Sequence, residues 1–508
     1  MRSNNYLKID YNFYDFLSAS IQAESYASKT LLNFSPNFEN TNISTYSINF
    51  KKNKIDITAG YFYTQFGSGI ILRSWEDRQL GLNNAIRGGK ITYRPMDELT
   101  LNAIYGHQRV GFKVSKGRIY GFDFTYNLSN TFEWKNTQLN FGGSYVGREE
   151  SINIENPTFN ELTNAFSGRL DFSQGSFYGG LEYVAKSEDG IPFRNQFDSY
   201  ITKPGSAILL NTGIALSGFS TNLTFRRLEN MTFMSDRLKI GNVYNENVIN
   251  FLPALTKQQD FSLANIYVYQ PQASVLFLTE SLIKAGEIGG QLDVFYKFKK
   301  NSAIGGKYGT SIALNTSYWA GLKGEYVFPN PDAGLEADYS TELFGFGTKY
   351  FSDTNIEIRK KWSSKWHTNG FFMTQYYNKR YLEDSSNEVI RPNIAAIDAI
   401  YKMSNGRSMK IEMQHLWTKE DLKNWAGAAF EFNFSPRLSV YVNDIYNYGN
   451  AVEDKRIHYY NFGSSISKGS NRLSLNYGRQ RGGLLCVGGV CRTVSESTGL
   501  TANLSISF

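Results

Sequence analysis

Charge, proline, histidine and long apolar runs are what this 508-residue chain has little of. No stretch approaches the roughly 18 consecutive apolar residues of a membrane-spanning helix, so a helical membrane protein is excluded. The four histidines, His107, His367, His415 and His458, sit in no Ser or Asp motif that would make one the base of a hydrolase. His107, at the start of a loop, is the least implausible base. His415 alternates with Met413 and Trp417 and reads as an interface residue. No glycine-rich phosphate loop follows a strand and opens a helix, since Gly67 and Gly69 alone make no such motif, so no nucleotide cofactor is expected. Enzymatic activity is therefore not expected. The net charge is a modest +7, and its basic pairs are scattered: Lys51-Lys52, Arg226-Arg227, Lys299-Lys300 and Lys360-Lys361. That spacing gives no basic face for nucleic acid. Snorkelling near strand ends is the plainer reading of the pairs.

What is present is aromatic and alternating. Aromatics reach 15%, against 19% charged residues. That balance suits a transmembrane barrel, where half of each strand meets lipid and aromatic girdles mark the interfaces. The end of the chain shows the pattern. Leu500, Ala502, Leu504, Ile506 and Phe508 alternate with Thr501, Asn503, Ser505 and Ser507. Successive strand residues point to opposite faces, so one face is apolar and the other polar. The same holds for Ile55, Ile57, Ala59, Tyr61 and Tyr63, for Leu99, Leu101, Ala103 and Tyr105, and for Leu292, Val294, Tyr296 and Phe298. Charged residues on the inner face, such as Asp56, Asp293 and Glu412, fit a hydrated lumen better than a dry sandwich core.

The connections alternate too. Short ones include Lys52-Asn53, Arg94 to Glu98, Ser173 to Gly175, Leu216 to Gly218, Ser404 to Arg407, Ser435-Pro436 and Lys468 to Asn471, all built of turn residues. Long ones include 27–42, 64–85, 147–162, 187–205, 229–260, 320–352, 379–393, 447–455 and 481–498. Outer-membrane barrels have short periplasmic turns and longer extracellular loops. The expected fold is all-β: one up-and-down antiparallel transmembrane barrel over 1–508, of about 24 strands (range roughly 22–26). Residues 261–288 read either as two strands or as an infolded loop. The chain opens without an apolar leader, and counting strands from the end places its start outside. A processed or truncated form lacking the signal peptide and first strand is expected on both grounds.

The segment 64–88, with Gln65 to Arg87 at its heart, carries the densest chemistry. Arg73, Glu76, Asp77, Arg78 and Arg87 supply both signs of charge, beside Ile70, Ile71, Leu72, Trp75 and Leu80. So many apolar groups favour folding into the lumen, where charged residues form a constriction that selects solutes. The alternatives are a brace for the barrel wall or a true ligand site. Loop acids such as Glu149-Glu150 or Glu383-Asp384 are commoner as solvated charges than as a calcium site. Cys486 and Cys491 lie in a CxxxxC spacing. With no second pair or His cluster to complete a metal site, a disulfide closing a tight extracellular loop is favoured over metal binding.

The runs QFGSGIILRSWEDRQLGLNNAIRG, GGKYGTSIALN at 305–315 and RGGLLCVGGVCR resemble an uncharacterised family of Bacteroidota outer-membrane β-barrels, a domain of unknown function. The resemblance covers most of the chain. It implies an outer-membrane location and transfers no binding or catalytic residues. The terminal strand ending in Phe508 resembles an assembly signal, which implies contact with the barrel-assembly machinery as well as outer-membrane lipid. A barrel of this size has a lumen that side chains of the wall cannot fill. The leading functional expectation is a porin-like channel for small or medium solutes. The alternative is a scaffold or surface barrel that binds an envelope protein partner, for which the long loops 229–260 and 320–352 offer area.

Overall fold

The computed structural model describes residues 1–151, 160–191, 201–237, 244, 246–330, 332, 334–386 and 388–507. Its strands join next neighbours in one 24-stranded antiparallel sheet. One of the 24, Val389–Ile390, is two residues long and prolongs the pairing that Asn393–Lys402 makes with Trp366–Asn378, which leaves 23 full strands. Among the described residues no pairing joins Asn5–Tyr14 to Ser497–Ser505, the first and last strands. No described helix is long and apolar enough to cross a membrane.

Alternation sets the two faces. Ala103 pairs with Ile91 on one side and Phe122 on the other, and this row is outward. One residue along, Asn102 pairs with Thr92 and Asp123, and the row is inward. Thr92 Oγ1 donates to Asn102 at 2.7 Å, Asn102 donates to Asp123 at 3.1 Å, and Ser144 donates to Asp123 at 2.8 Å. Arg169 closes this five-strand network with an ion pair to Asp123 at 2.7 Å. A bilayer offers no hydrogen bonds, so these groups must face inward and satisfy one another. Phe141, Phe166, Leu181, Phe372, Met413 and Phe462 stand exposed on the other face, as lipid contact requires. The last strand keeps this parity. Leu500 and Leu504 lie opposite the exposed Tyr477 and Leu473, while Asn503 lies opposite Ser474 on the inner row. Phe508 lies outside the described residues.

Turn chemistry marks one rim. Asn53, Gly175, Gly218, Asn405 and Gly469 all hold positive φ at the expected short turns. The other rim departs from expectation in two places. Residues 320–352 are not a loop: the strands Thr310–Val327 and Asp338–Lys361 run 18 and 24 residues. About 9–11 residues cross a bilayer, so this hairpin stands well clear of it. His107 is not at the start of a loop either, but inside the strand Leu99–Val110. Its neighbours up to Val110 keep pairing with Lys113–Asn127, so the chain turns at Gly111 instead.

Towards that rim the inner row changes character. Ile104, Ile119, Val146, Ala165, Val184, Ala207 and Leu228, one from each of seven successive strands, form an apolar arc on the inside of the wall. Across the lumen a second apolar wall is built from Trp319, Phe351, Phe371, Met373, Ile394, Leu416 and Trp425. Apolar groups inside a hydrated barrel need something to bury them. The sheet wraps three chain segments that do so: 64–85, the described residues of 230–285, and 481–496.

Candidate functional site

The segment 64–85 folds inward. Two small hairpins, Thr64–Phe66 with Leu72–Ser74 and Glu76–Asp77 with Leu82–Asn83, shape it. Phe66, Ile70, Ile71 and Leu72 sink into the apolar arc. The tip fits only because of its glycines. Gly69 holds φ at +94°, and a Cβ there would lie 3.2 Å from Phe251 Cβ. Gly81 holds φ at +66°, and a Cβ would lie 2.1 Å from the Asn33 carbonyl oxygen.

Of the five charged residues read from sequence, four share this segment. Glu76 and Arg78 form an ion pair at 3.0 Å, and the Arg78 guanidinium sits 3.9 Å from the centre of the Tyr6 ring. Asp77 accepts the Leu80 backbone N–H at 2.8 Å and holds its own turn. Arg73 is apart from both acids. It lies over Phe251 at 3.9 Å and Trp75 at 4.8 Å, and partial burial pushes its pKa down. Arg87 does not join them. It is exposed, and in the strand Ile86–Met96 it has the parity of the outward Ile91 and Tyr93. The strand begins at Ile86, inside the segment 64–88 that sequence assigned to the infolded loop.

The larger infolded piece comprises the described residues 230–237 and 246–285, so 261–285 is infolded chain rather than two wall strands, its only strands being the small hairpin Leu276–Thr279 with Leu282–Lys284, and 286–288 open the wall strand Gly286–Lys297. Of the connection 229–260, the described residues 246–260 pack inside against the other infolded segments. The segment bridges both walls: Ile249 and Ala273 join the arc, and Phe261, Leu263, Tyr267 and Tyr269 join the opposite cluster. It docks on the first segment through Phe251 N–H to Gly69 O and Arg73 N–H to Ile249 O, both 2.9 Å. A buried latch ties it to the wall. Glu287 in the strand Gly286–Lys297 is fully buried and pairs with Arg226 at 2.6 Å. Its second oxygen accepts from the Tyr269 hydroxyl and, at 2.6 Å, from Gln272 N–H. Burial, with Glu287 alongside, pushes the Tyr269 phenol well above its usual pKa and keeps it a donor.

Arg226-Arg227 is thus no snorkelling pair. Arg226 faces inward to Glu287, and Arg227 is held by Glu229 at 2.8 Å. The loop acids are also engaged. Glu149 pairs with Arg118 at 2.7 Å, Glu150 with Arg237 at 3.4 Å and Asp384 with Lys284 at 2.6 Å, and Glu383 accepts from the Tyr377 hydroxyl at 2.9 Å. No group of three or more His, Cys, Asp or Glu is placed to hold a metal among the described residues.

The third segment carries the disulfide. Cys486 and Cys491 are bonded across the hairpin Gly483–Val487 and Val490–Val494. This hairpin does not stand out as a free loop. Gly489 O accepts from Ala254 N–H and Cys486 O from Gln258, each at 2.7 Å. Arg492 donates to Leu80 O, so all three segments touch. Between them lies a cavity of about 560 Å³, reached by Trp75, Arg148, Lys186, Asn250, Lys284 and Cys491 among others.

Sequence reasoning offered an infolded loop only as one of two readings of 261–288, missed the inward course of the chain before it, and missed Arg148, Lys186, Arg226 and Glu287. A signal existed. The inner arc appears wherever strict alternation gives way to adjacent apolar residues near a long connection, as at Ala103-Ile104-Tyr105, Tyr145-Val146 and Tyr183-Val184-Ala185.

An apolar outer face around a polar interior makes this an integral membrane barrel of the outer-membrane kind. A family model described as "Family of unknown function (DUF6029)" matches residues 1–508. No curated protein matches the chain. Among solved structures it is similar to the P pilus usher (PapC) translocation pore, at 9% identity and a TM-score of 0.40, covering 98% of this chain and 94% of that one. The siderophore receptor PirA from Pseudomonas aeruginosa matches at 9% identity and 0.39, covering 94% and 71%. A BenF-like porin from Pseudomonas fluorescens Pf-5 matches at 11% and 0.36, covering 87% and 91%. At such TM-scores these likenesses carry no weight beyond the strand pairing already described.

Proposed function

We propose that this chain, which belongs to that family of unknown function, is a porin-like outer-membrane channel that passes small or medium solutes around and through its infolded segments. One observation carries the reading: the infolded segments do not fill the barrel but leave a cavity of about 560 Å³ lined in part by charged residues of the wall. Arg73, Glu76, Asp77 and Arg78 stand where a constriction would act on a passing solute by size and charge. Arg78 is the most exposed of them and the one best placed to meet it. No catalytic role enters the proposal. His415 bonds Tyr448 at 2.8 Å and His458 pairs with Asp444 at 2.6 Å, both on the barrel wall and both used in packing aromatic neighbours.

The scaffold reading keeps one observation in its favour. The plug is latched by buried groups on both walls, as a permanently closed barrel would be. Planar-bilayer recording of the purified protein tests the pair. Discrete conductance steps support the channel. Silence together with stable co-purification of an envelope partner supports the scaffold.

A further inference from the structure

Two buried lysines line the cavity, and they differ in one respect. Lys284 has all three of its N–H groups taken: by Gln272 Oε1 at 3.0 Å, Tyr381 O at 2.8 Å and Asp384 at 2.6 Å. Lys186 is equally buried, yet its ammonium makes one hydrogen bond, to Thr232 O at 2.9 Å. No described carboxylate pairs with it. Asp189, on its own strand, attracts it only from beyond ion-pair distance and is itself committed to Arg148 at 2.9 Å and Arg237 at 3.7 Å, and Glu150 behind them answers the same two guanidiniums. The Phe233 ring lies 5.9 Å from the ammonium, but a buried ammonium is a three-donor group, and leaving donors without an acceptor and the charge without a direct ion pair is costly.

The rest of the lining points the same way. Its cations are Arg148, Lys186, Arg237 and Lys284, against the anions Asp189 and Asp384. Two further polar atoms of lining residues are buried without a partner, Arg148 Nε and Asn250 Oδ1. Leu252, Pro271 and Val275 supply apolar wall between them. The volume lies within the range of roughly 300–1,000 Å³ typical of small-molecule sites. A bound carboxylate would answer the open N–H groups of Lys186, while a hydroxyl or amide on the same molecule would serve Asn250 Oδ1.

We infer that the cavity between the infolded segments is a binding site for a small organic acid, its carboxylate held by Lys186. This deepens the channel reading and rests on it for the idea that the acid is a passing solute. Binding itself is independent of conductance.

Isothermal titration of the purified protein in detergent decides it, with benzoate and glucuronate as probes against glucose and choline. The acids are expected to bind, and glucose and choline to bind about ten-fold more weakly or not at all, a margin worth about 1.4 kcal/mol. Lys186→Met is expected to weaken both acids by about ten-fold or more, and Lys186→Arg to retain them. Lys186→Met removes a buried charge that has no direct ion pair and keeps most of the side-chain length, so the variant should fold about as well as the parent, as read by heat-dependent gel mobility. Equal binding of glucuronate and glucose by the unmodified protein overturns the inference whether or not any variant folds. So does absence of acid binding, or unchanged acid binding in Lys186→Met. Acid binding without conductance would sink the channel reading and leave the site standing. Conductance without acid binding would do the reverse.

Discussion

Glu287→Ala is the most informative single perturbation, because Glu287 joins wall to plug. It is fully buried and accepts from Arg226 at 3.2 and 2.6 Å, from the Tyr269 hydroxyl and from Gln272 N–H. Arg226 is wall; Tyr269 and Gln272 belong to 230–285. Truncation strands the Arg226 guanidinium, whose remaining bond is to Pro253 O at 2.6 Å. Breaking a buried ion pair from one side costs about 3–5 kcal/mol. The cost falls on the docked state of the plug, since every lost contact but Arg226 is with that segment. At about 1.4 kcal/mol per factor of ten, the undocked fraction should rise by roughly two to three and a half orders of magnitude. The assay is planar-bilayer recording with limited proteolysis in parallel. We predict larger or longer openings, and new cleavage within 230–275 while the barrel keeps its heat-dependent gel shift. The double variant Arg226→Met with Glu287→Met removes both charges and should return much of the closed behaviour. Unchanged conductance and proteolysis in Glu287→Ala would refute the latch.

Other outcomes follow from the same geometry. Deleting Gly69 to Gly81 should raise conductance, and Arg78→Glu should shift ion selectivity towards cations, both read as single-channel currents and reversal potentials. Reducing the Cys486–Cys491 bond should increase amide exchange in 483–494 and in 253–258, which it packs against, without unfolding the sheet. A ring this small contributes about 2 kcal/mol, and mass spectrometry finding free thiols in envelope-isolated protein would contradict the pairing. Phe372→Arg, midway along a strand on the lipid face, should destabilise the barrel by about 2–4 kcal/mol in urea unfolding in vesicles. Met373→Ala, one residue along and facing the plug, should leave the lipid face intact and instead loosen the plug.

The wall was legible because a strand has a period of two and a membrane imposes one apolar side. Ala103 and Tyr105 could be placed outward, and Asn102 inward, from alternation alone. Turn residues such as Asn53 and Gly218 fixed the short rim through backbone conformations that favour Asn and Gly. The interior was legible only where the plug carries a dense local signature, as at 64–85. The segment 230–285 has no periodicity, since it packs irregularly against two walls instead of forming a ladder. Its partners, among them Trp319, Phe371 and Glu287, lie far along the chain. Lys186 and Asp189 read as ordinary strand-end charges, and nothing local shows that one is answered and the other is not. Arg87 was misplaced because the sequence reads as a loop through residue 88, whereas the wall strand already begins at Ile86 and turns Arg87 outward.

Liposome flux with graded solutes tests the central claim most directly. Vesicles carrying the purified protein are challenged with glucose, maltose, glucuronate and a long dextran. The account predicts entry of the small solutes, faster entry of glucuronate than of glucose, exclusion of dextran, and faster entry of all the small solutes in Glu287→Ala. Vesicles that remain as impermeable as protein-free ones, with both the unmodified protein and Glu287→Ala, would contradict it.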